Sequence, residues 1–137
     1  MSCKSNIYVA TTTSSSVLAN GVLPLSTIVR RRGCDINLSG NSIAITDTGS
    51  NYYLVLVDAT FTAPVAGTIA LTLQQNGANV TGATATTTIT TATTEVRSLS
   101  FPAVIRTYNG AGIDSLSVIN SGLAATFSNI TLTVIKL

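Results

Sequence analysis

Apolar and polar residues alternate along most of this chain, which is the pattern of half-buried β-strands. The clearest alternation covers residues 69–73 and is followed by Asn76-Gly77. Asn-Gly favours a two-residue hairpin turn, because both residues tolerate a positive φ. Alternation on both sides of Gly40-Asn41 predicts a second hairpin. About 8–10 short strands at this spacing predict an all-β sandwich, jelly roll or barrel.

Two segments are apolar on both faces. Residues 52–57 read Tyr-Tyr-Leu-Val-Leu-Val, and residues 130–137 form an alternating strand that ends with apolar groups on both sides. Because side chains alternate across a strand, one face of each segment can fill the core while the other needs a cover. A loop of the same domain could supply that cover, but we favour an identical subunit because both segments need one. The predicted interface residues are Tyr52, Tyr53, Val55, Val57, Ile135 and Leu137.

Residues 1–27 are predicted to form an extended N-terminal arm, and residues 28–137 the β domain. The arm holds a small polar run and Leu23-Pro24-Leu25, which cannot continue a helix. Its apolar clusters predict contact with another subunit or with a particle. The adjacent arginine run is interpreted either as a solvated surface or as a further contact of this kind, since guanidinium groups bind carboxylates bidentately. The predicted contact residues are Ile7, Tyr8, Val9, Leu23, Leu25, Arg30, Arg31 and Arg32.

Composition argues against several classes of function. Charged residues make up only 9% of the chain, and the net charge of +2 is too small to indicate binding of nucleic acid. Without histidine, no Ser-His-Asp or Cys-His catalytic arrangement is possible. The five carboxylates are scattered along the chain. We therefore expect a non-enzymatic protein with no cofactor, and the low charge fits extensive burial in an assembly.

Targeting signals and cysteines set expectations about location. No apolar leader follows Met1, and no stretch approaches the ~20 apolar residues of a membrane-spanning helix, so we expect synthesis in the cytoplasm and no membrane insertion. Cys3 and Cys34 could pair with each other, but two cysteines do not make a disulfide framework, and in this compartment we expect reduced thiols. Asp58 ends an otherwise apolar strand. It is interpreted as a carboxylate paired with arginine or satisfied in a loop, with a calcium site as the alternative.

Several strand and turn segments resemble those of a known group of proteins, the bacterial trimeric jelly-roll modules. The resembling segments are residues 49–61, 62–72, 77–84, 116–122 and 128–137. Such modules are related to the tumour-necrosis-factor and complement globular-head superfamily and cap collagen-like glycoproteins on spore surfaces. Similar small proteins occur in bacteriophage particles as head fibres, decorations or tail-tip domains. The resemblance covers roughly residues 28–137 and implies that they form an all-β, antiparallel jelly-roll β-sandwich of about ten strands. It also implies a homotrimer around a threefold axis, with the tyrosine-rich strand and the terminal strand near that axis.

Three functions are consistent with these features. The first is a virion structural protein, anchored to phage capsid or tail proteins by its arm, with distal loops facing outward. The second is a binding module for carbohydrate or host-surface glycans. The third is a spore-surface (exosporium) protein that lacks the collagen-like stalk. The expected location is the virion, with the spore surface as the alternative. The predicted distal-loop residues are Thr87, Thr88, Tyr108 and Asn109.

Overall fold

The computed structural model describes residues 4–47, 49–107 and 112–137. These residues form eleven β-strands and no helix. The strands are β1 (Asn6–Thr11), β2 (Ser15–Val17), β3 (Thr27–Arg32), β4 (Ile36–Ser39), β5 (Ser42–Ile45), β6 (Tyr52–Thr62), β7 (Gly67–Gln75), β8 (Ala78–Ile89), β9 (Arg97–Arg106), β10 (Asp114–Asn120) and β11 (Ala125–Lys136).

The strands form two sheets. One has the order β3-β1-β11-β6-β9, with β2 paired to the start of β11, and the other has the order β4-β5-β10-β7-β8. Every ladder within the two sheets is antiparallel. The predicted all-β, antiparallel architecture is therefore confirmed.

Both predicted hairpins are present. Asn76 and Gly77 join β7 to β8 with φ values of 53° and 81°, as a primed two-residue turn requires. Gly40 joins β4 to β5 with a φ of 60°. These turns fix the register of their strands, so each hairpin directs its apolar positions toward the same side of its sheet.

The core lies between the two sheets and consists almost entirely of aliphatic side chains. On β6 the residues that face it are Tyr53, Val55 and Val57, all almost fully buried. Phe61 and Phe127 pack against each other with ring centroids 5.4 Å apart. Because the two sheets bury their inner faces against each other, one face of each apolar strand is satisfied within a single copy of the chain.

The described part of the predicted N-terminal arm belongs to the domain, so the prediction of an extended arm is corrected. Strand β1 lies inside the six-stranded sheet, paired with β11 on one side and β3 on the other. Ile7 and Val9 are buried in the core, as are Leu23 and Leu25 from the following loop. The apolar clusters that suggested attachment to a neighbour are used for packing within the chain.

Cys34 is disulfide-bonded, which corrects the expectation of a reduced thiol at this position. Cys3 lies outside the described residues. Over the described ranges, no helix is long and apolar enough to cross a bilayer.

The position of β1 gives a test of this correction. Replacing Ile7 with alanine should lower the free energy of unfolding by about 2–5 kcal/mol, because it opens a cavity in the core. Leu18, from the same predicted arm but 75% exposed, supplies the matched control. Leu18→Ala should change stability by about 0.5 kcal/mol or less. Urea unfolding followed by circular dichroism measures both, and equal effects would contradict the assignment of β1 to the core.

Candidate functional site

The side of the six-stranded sheet that faces away from the core, called here the outer face, is unusually apolar. Cross-strand partners share a face, so the ladders define its rows. In one row Ile135 on β11 lies beside Leu54, which lies beside Val104 on β9. The next row contains Arg30, Tyr8, Thr133, Leu56 and Pro102, contributed in that order by β3, β1, β11, β6 and β9.

Much of this face is open to solvent. Tyr52 is 53% exposed, Leu56 41%, Val104 56% and Ile135 37%. Single exposed apolar residues are normal on protein surfaces, but a contiguous apolar patch usually marks an interaction site. The outer face is therefore the candidate functional site.

The predicted interface residues divide between the two sides of this sheet. Tyr52, Ile135 and Leu137 are exposed, whereas Tyr53, Val55 and Val57 are buried in the core. The interface prediction is therefore wrong for the buried residues, because they have no surface left for a partner. Leu56 and Val104 take their place on the open face. Both faces of β6 are apolar, so its alternation alone could not show which one is inside.

The outer face becomes polar toward the end where β6 finishes. A depression of about 390 Å³ lies there, lined by Leu56, Asp58, Ser100, Pro102, Thr131 and Thr133, with Val57 and Phe101 beneath. Asp58 lies between Thr131 and Ser100 in the ladders. Its carboxylate is exposed and forms no hydrogen bond or ion pair with any described residue. The arginine pairing expected for Asp58 is absent within one copy of the chain.

The arginine run forms the outer edge of the sheet. All residues of β3 are exposed, and β3 pairs only with β1 within the described sheet. Arg30 is opposite Tyr8 and so shares the outer face, whereas Arg31 is opposite Ile7 and donates from Nε to the carbonyl of Ile36 at 2.7 Å. Arg32 is opposite Asn6 at the end of the strand. Contacts of this run with another copy or a particle stay a prediction.

The predicted distal-loop residues are placed differently from expectation. Thr87 and Thr88 belong to β8, the edge strand of the five-stranded sheet, and not to a loop. Tyr108 and Asn109 lie outside the described residues.

The loop after β8 is organised by Glu95, whose carboxylate accepts hydrogen bonds from the backbone N–H groups of Thr90 and Thr91. An ion pair with Arg97 at 2.6 Å, with help from these threonines, lowers the pKa of Glu95 to about 2.

A buried polar cluster, absent from the sequence-based prediction, closes the opposite end of the sandwich. The Lys136 Nζ lies 2.9 Å from Asp47 Oδ2 and 3.6 Å from Asp35 Oδ2. The Tyr53 hydroxyl donates to Asp47 Oδ2 at 3.0 Å, and the Ser5 hydroxyl donates to Asp35. These five residues are called the Lys136 cluster. Lys136 lies two residues beyond the buried Val134 on β11, so the alternation of the strand also directs its side chain inward. This alternation is the sequence signal that could have revealed the cluster.

The protonation states of the cluster follow from its geometry. Burial raises the pKa of Asp47, but Lys136, the Gly49 N–H and the Tyr53 hydroxyl lower it more, so the pKa lies below its usual value. Burial lowers the pKa of Lys136, but the two carboxylates raise it more, so the net shift is upward. Burial raises the pKa of Tyr53, and acceptance of its proton by Asp47 raises it further. The cluster is therefore an ion pair with a neutral tyrosine at neutral pH.

No catalytic or metal-binding arrangement is present among the residues that the structure describes. Asp35 and Asp47 are engaged with Lys136, and Glu95 with Arg97. Asp114 is fully buried, and its carboxylate accepts hydrogen bonds from the side-chain amides of Gln75 and Asn76. No group of three or more His, Cys, Asp or Glu side chains in the described ranges could hold a metal ion. The calcium alternative for Asp58 therefore gains no support from other acidic side chains.

The Lys136 cluster makes stability depend on pH in a defined direction. A carboxylate whose pKa is lowered in the folded state stabilises the fold above its ordinary value of about 3.9, and this contribution is lost as the pH falls. A lysine whose pKa is raised contributes below about 10.4 and loses its contribution only as the pH rises through its folded-state value. The native protein should therefore lose stability below about pH 4.

Replacing Lys136 with methionine should cost about 2–4 kcal/mol at pH 7, because it leaves buried carboxylates without their cation. The variant should also lose less stability than the native protein between pH 5 and pH 3. Lys4, which is exposed near the same end, gives the control Lys4→Met. Urea unfolding across this pH range measures both, and parallel stability curves for Lys136→Met and native protein would contradict the role of the ion pair.

Comparisons with known proteins identify the fold. No protein-family model matches the sequence, and no curated protein matches it either. Solved structures match almost the whole chain. Murine APRIL at pH 5.0 is 17% identical, with a TM-score of 0.74 over 98% of this chain and 99% of that chain. Eiger TNF from S. frugiperda is 13% identical, with a TM-score of 0.69 over 100% of this chain and 94% of that chain.

A third match is the PRD1 vertex protein P5. It is 16% identical, with a TM-score of 0.64 over 100% of this chain and 99% of that chain. At these identities the matches show the fold alone. The two sheets form a jelly-roll sandwich like that of tumour necrosis factor, which confirms the fold implied by the sequence resemblance.

Proposed function

We propose that this chain is a non-enzymatic structural protein that assembles as a homotrimer and forms part of a bacteriophage virion. Its place there would be that of a head fibre, a capsid decoration or a tail-associated protein. The observation that carries the proposal is the open apolar face across β11, β6 and β9, whose opposite face already fills the core. A protein that leaves such a face uncovered in one copy needs a partner surface, and a further copy supplies one of matching character.

The threefold order of the assembly rests on the resemblance to trimeric jelly-roll modules. The virion role is supported by the match of the fold, over the full length of both chains, to a vertex protein. It is also supported by the low charge, since charged residues are depleted at the centres of protein interfaces. The proposed absence of catalysis rests on the lack of histidine and on the partners that four of the five acidic side chains have within the chain.

Attachment to the particle needs a surface other than an N-terminal arm, because β1 and β2 are strands of the domain. We assign it to the loop end of the sandwich where β6 finishes and β7 begins. There the Thr93 N–H donates to the Ala63 carbonyl at 2.8 Å, which ties two loops together. The exposed apolar residues on the loops at this end are Leu18, Val22, Val65, Val96 and Leu123. In an assembly whose axis runs along the strands, this end would face the capsid or tail protein.

A glycan-binding role is the second candidate, and one observation favours it. Alternate residues of the edge strand β8 expose a row of threonine hydroxyls, contributed by Thr84, Thr86 and Thr88. Hydroxyl groups can hydrogen-bond sugars, although no described aromatic side chain is exposed on that strand. Binding on a glycan array, abolished by Thr86→Val, would favour this role over a purely structural one.

Expression restricted to sporulation would favour the spore-surface alternative.

The self-association face can be tested by charge insertion. Replacing Leu56 or Ile135 with glutamate should convert trimers to monomers or aggregates, because an unpaired carboxylate would be buried in an apolar interface. Multi-angle light scattering at micromolar concentration measures the mass, which for the native protein should be three times 14.1 kDa. A native mass of one chain would refute the trimer, and unaltered trimers in both variants would refute this face as the interface.

Val65 and Val96 supply matched controls, since both are exposed aliphatic residues at the loop end. Val65→Glu and Val96→Glu should leave the mass and the thermal midpoint of the trimer unchanged. If particles of the parent phage are reconstituted with these variants, incorporation should fall. Loss of the trimer in these loop-end variants would show that charge insertion is disruptive wherever it is made.

A further inference from the structure

The outer face contains one carboxylate without a counter-charge, and this has a consequence for assembly. The chain has five acidic side chains, all within the described ranges. Asp35, Asp47, Glu95 and Asp114 each have hydrogen-bond or ion-pair partners within the chain, whereas Asp58 has none. Asp58 also lines the depression on the face that is proposed to be covered. Burying a lone carboxylate against a partner would oppose association unless the partner supplied a cation.

The same face offers that cation, but too far away for pairing within one chain. Only Arg97 and Lys136 form ion pairs with carboxylates among the described residues. Arg30 has no carboxylate partner there, and its Nη1 donates only to the carbonyl of Val29 at 3.2 Å. Arg30 lies on β3, and Asp58 lies on β6, three strands away across the sheet. Adjacent strands are separated by about 4.8 Å, so the two backbones are about 14 Å apart. An arginine side chain cannot cross this distance over the intervening Tyr8 and Thr133.

We propose that Asp58 of one copy is paired with Arg30 of the next copy around the assembly, so that each interface contains one such ion pair. The proposal rests on the self-association described above and names the contact that specifies it. The edge strand β3 of one copy would lie over the depression on the outer face of its neighbour. Contacts of this head-to-tail kind generate closed rings when the rotation between copies closes.

The register favours Arg30 over the other outward arginine of the run. Arg30 is level with Leu56 in the ladders, two residues along β6 from Asp58, which corresponds to about 7 Å. Arg32 is level with Leu54, four residues from Asp58 and about 14 Å along the strand. A rotation axis parallel to the strands preserves these levels. Arg30 can therefore extend to Asp58 of a neighbour, whereas Arg32 would miss it.

Charge reversal tests this pairing. The single variants Arg30→Asp and Asp58→Arg should each raise the concentration at which half of the trimers dissociate by roughly tenfold or more, because each leaves like charges facing each other. The double variant R30D/D58R restores opposite charges and should recover most of the lost affinity. The matched control R32D/D58R should show no recovery. Sedimentation velocity over a dilution series measures the dissociation of each variant.

Cysteine cross-linking tests the same geometry without relying on affinity. The double variant R30C/D58C should form covalent dimers and trimers on oxidation, and R32C/D58C should not. Two cysteines on the same chain at these positions are too far apart to bridge, since a disulfide needs Cα atoms within about 7 Å. Bands larger than one chain therefore report contact between copies.

The outcomes separate this inference from the proposed function. Native trimers with neither charge-swap recovery nor cross-linking would overturn the Arg30–Asp58 pairing and leave the trimeric structural role standing. A native protein that is monomeric at micromolar concentration would overturn the proposed function, and the pairing with it. Recovery in R30D/D58R together with cross-linked trimers would support both.

Discussion

The structure depends on two adjacent strands, β6 and β11, whose side chains are largely apolar toward the core. The first half of β6 and the end of β11, at Ile135, are apolar on the other side as well. Their inner residues, such as Val57 and Leu132, fill the core between the sheets. Burial of such side chains stabilises a fold by about 25 cal/mol per Å² of apolar area. The strict alternation of strands then fixes Leu56 on the outside, because any shift that buried it would expose Val57. The second sheet covers only the inner side of these strands, so the outer apolar residues stay open in one copy. This open surface is the basis of the proposed self-association.

The few charges of the chain lie where apolar packing ends. The Lys136 cluster closes one end of the sandwich, where the alternation of β11 directs a lysine inward beside buried carboxylates. Glu95 and Arg97 organise a loop at the other end. Asp58 differs from both pairs because no cation of its own chain reaches its carboxylate. In a protein with so few charges, an unpaired carboxylate on a largely apolar face specifies the geometry of a partner more sharply than the apolar residues around it do.

Local patterns were sufficient to predict an all-β fold and the hairpins at Gly40-Asn41 and Asn76-Gly77, because alternation and turn dipeptides act over a few residues. The choice of a jelly roll came from the resemblance of longer segments to a known group of proteins. Contacts between distant segments were not predictable in this way. Strand β1 pairs with β11, more than 100 residues away, so Ile7 could not be recognised as a core residue from its neighbours. The orientation of β6 failed for a related reason, since both of its faces are apolar and only the second sheet decides which one is buried.

The placement of β1 inside the sheet also changes the functional argument. With a free N-terminal arm, attachment to the particle would not have depended on the surface of the domain. Without the arm, both tasks of the proposed function, attachment and self-association, fall to surfaces of the sandwich itself. Its outer face is suited to lateral contact between copies, and its apolar loop end, near Val65 and Val96, is suited to contact along the axis of the assembly. This division of surfaces within a small, weakly charged domain suits the proposed role as a repeated component of a symmetric particle.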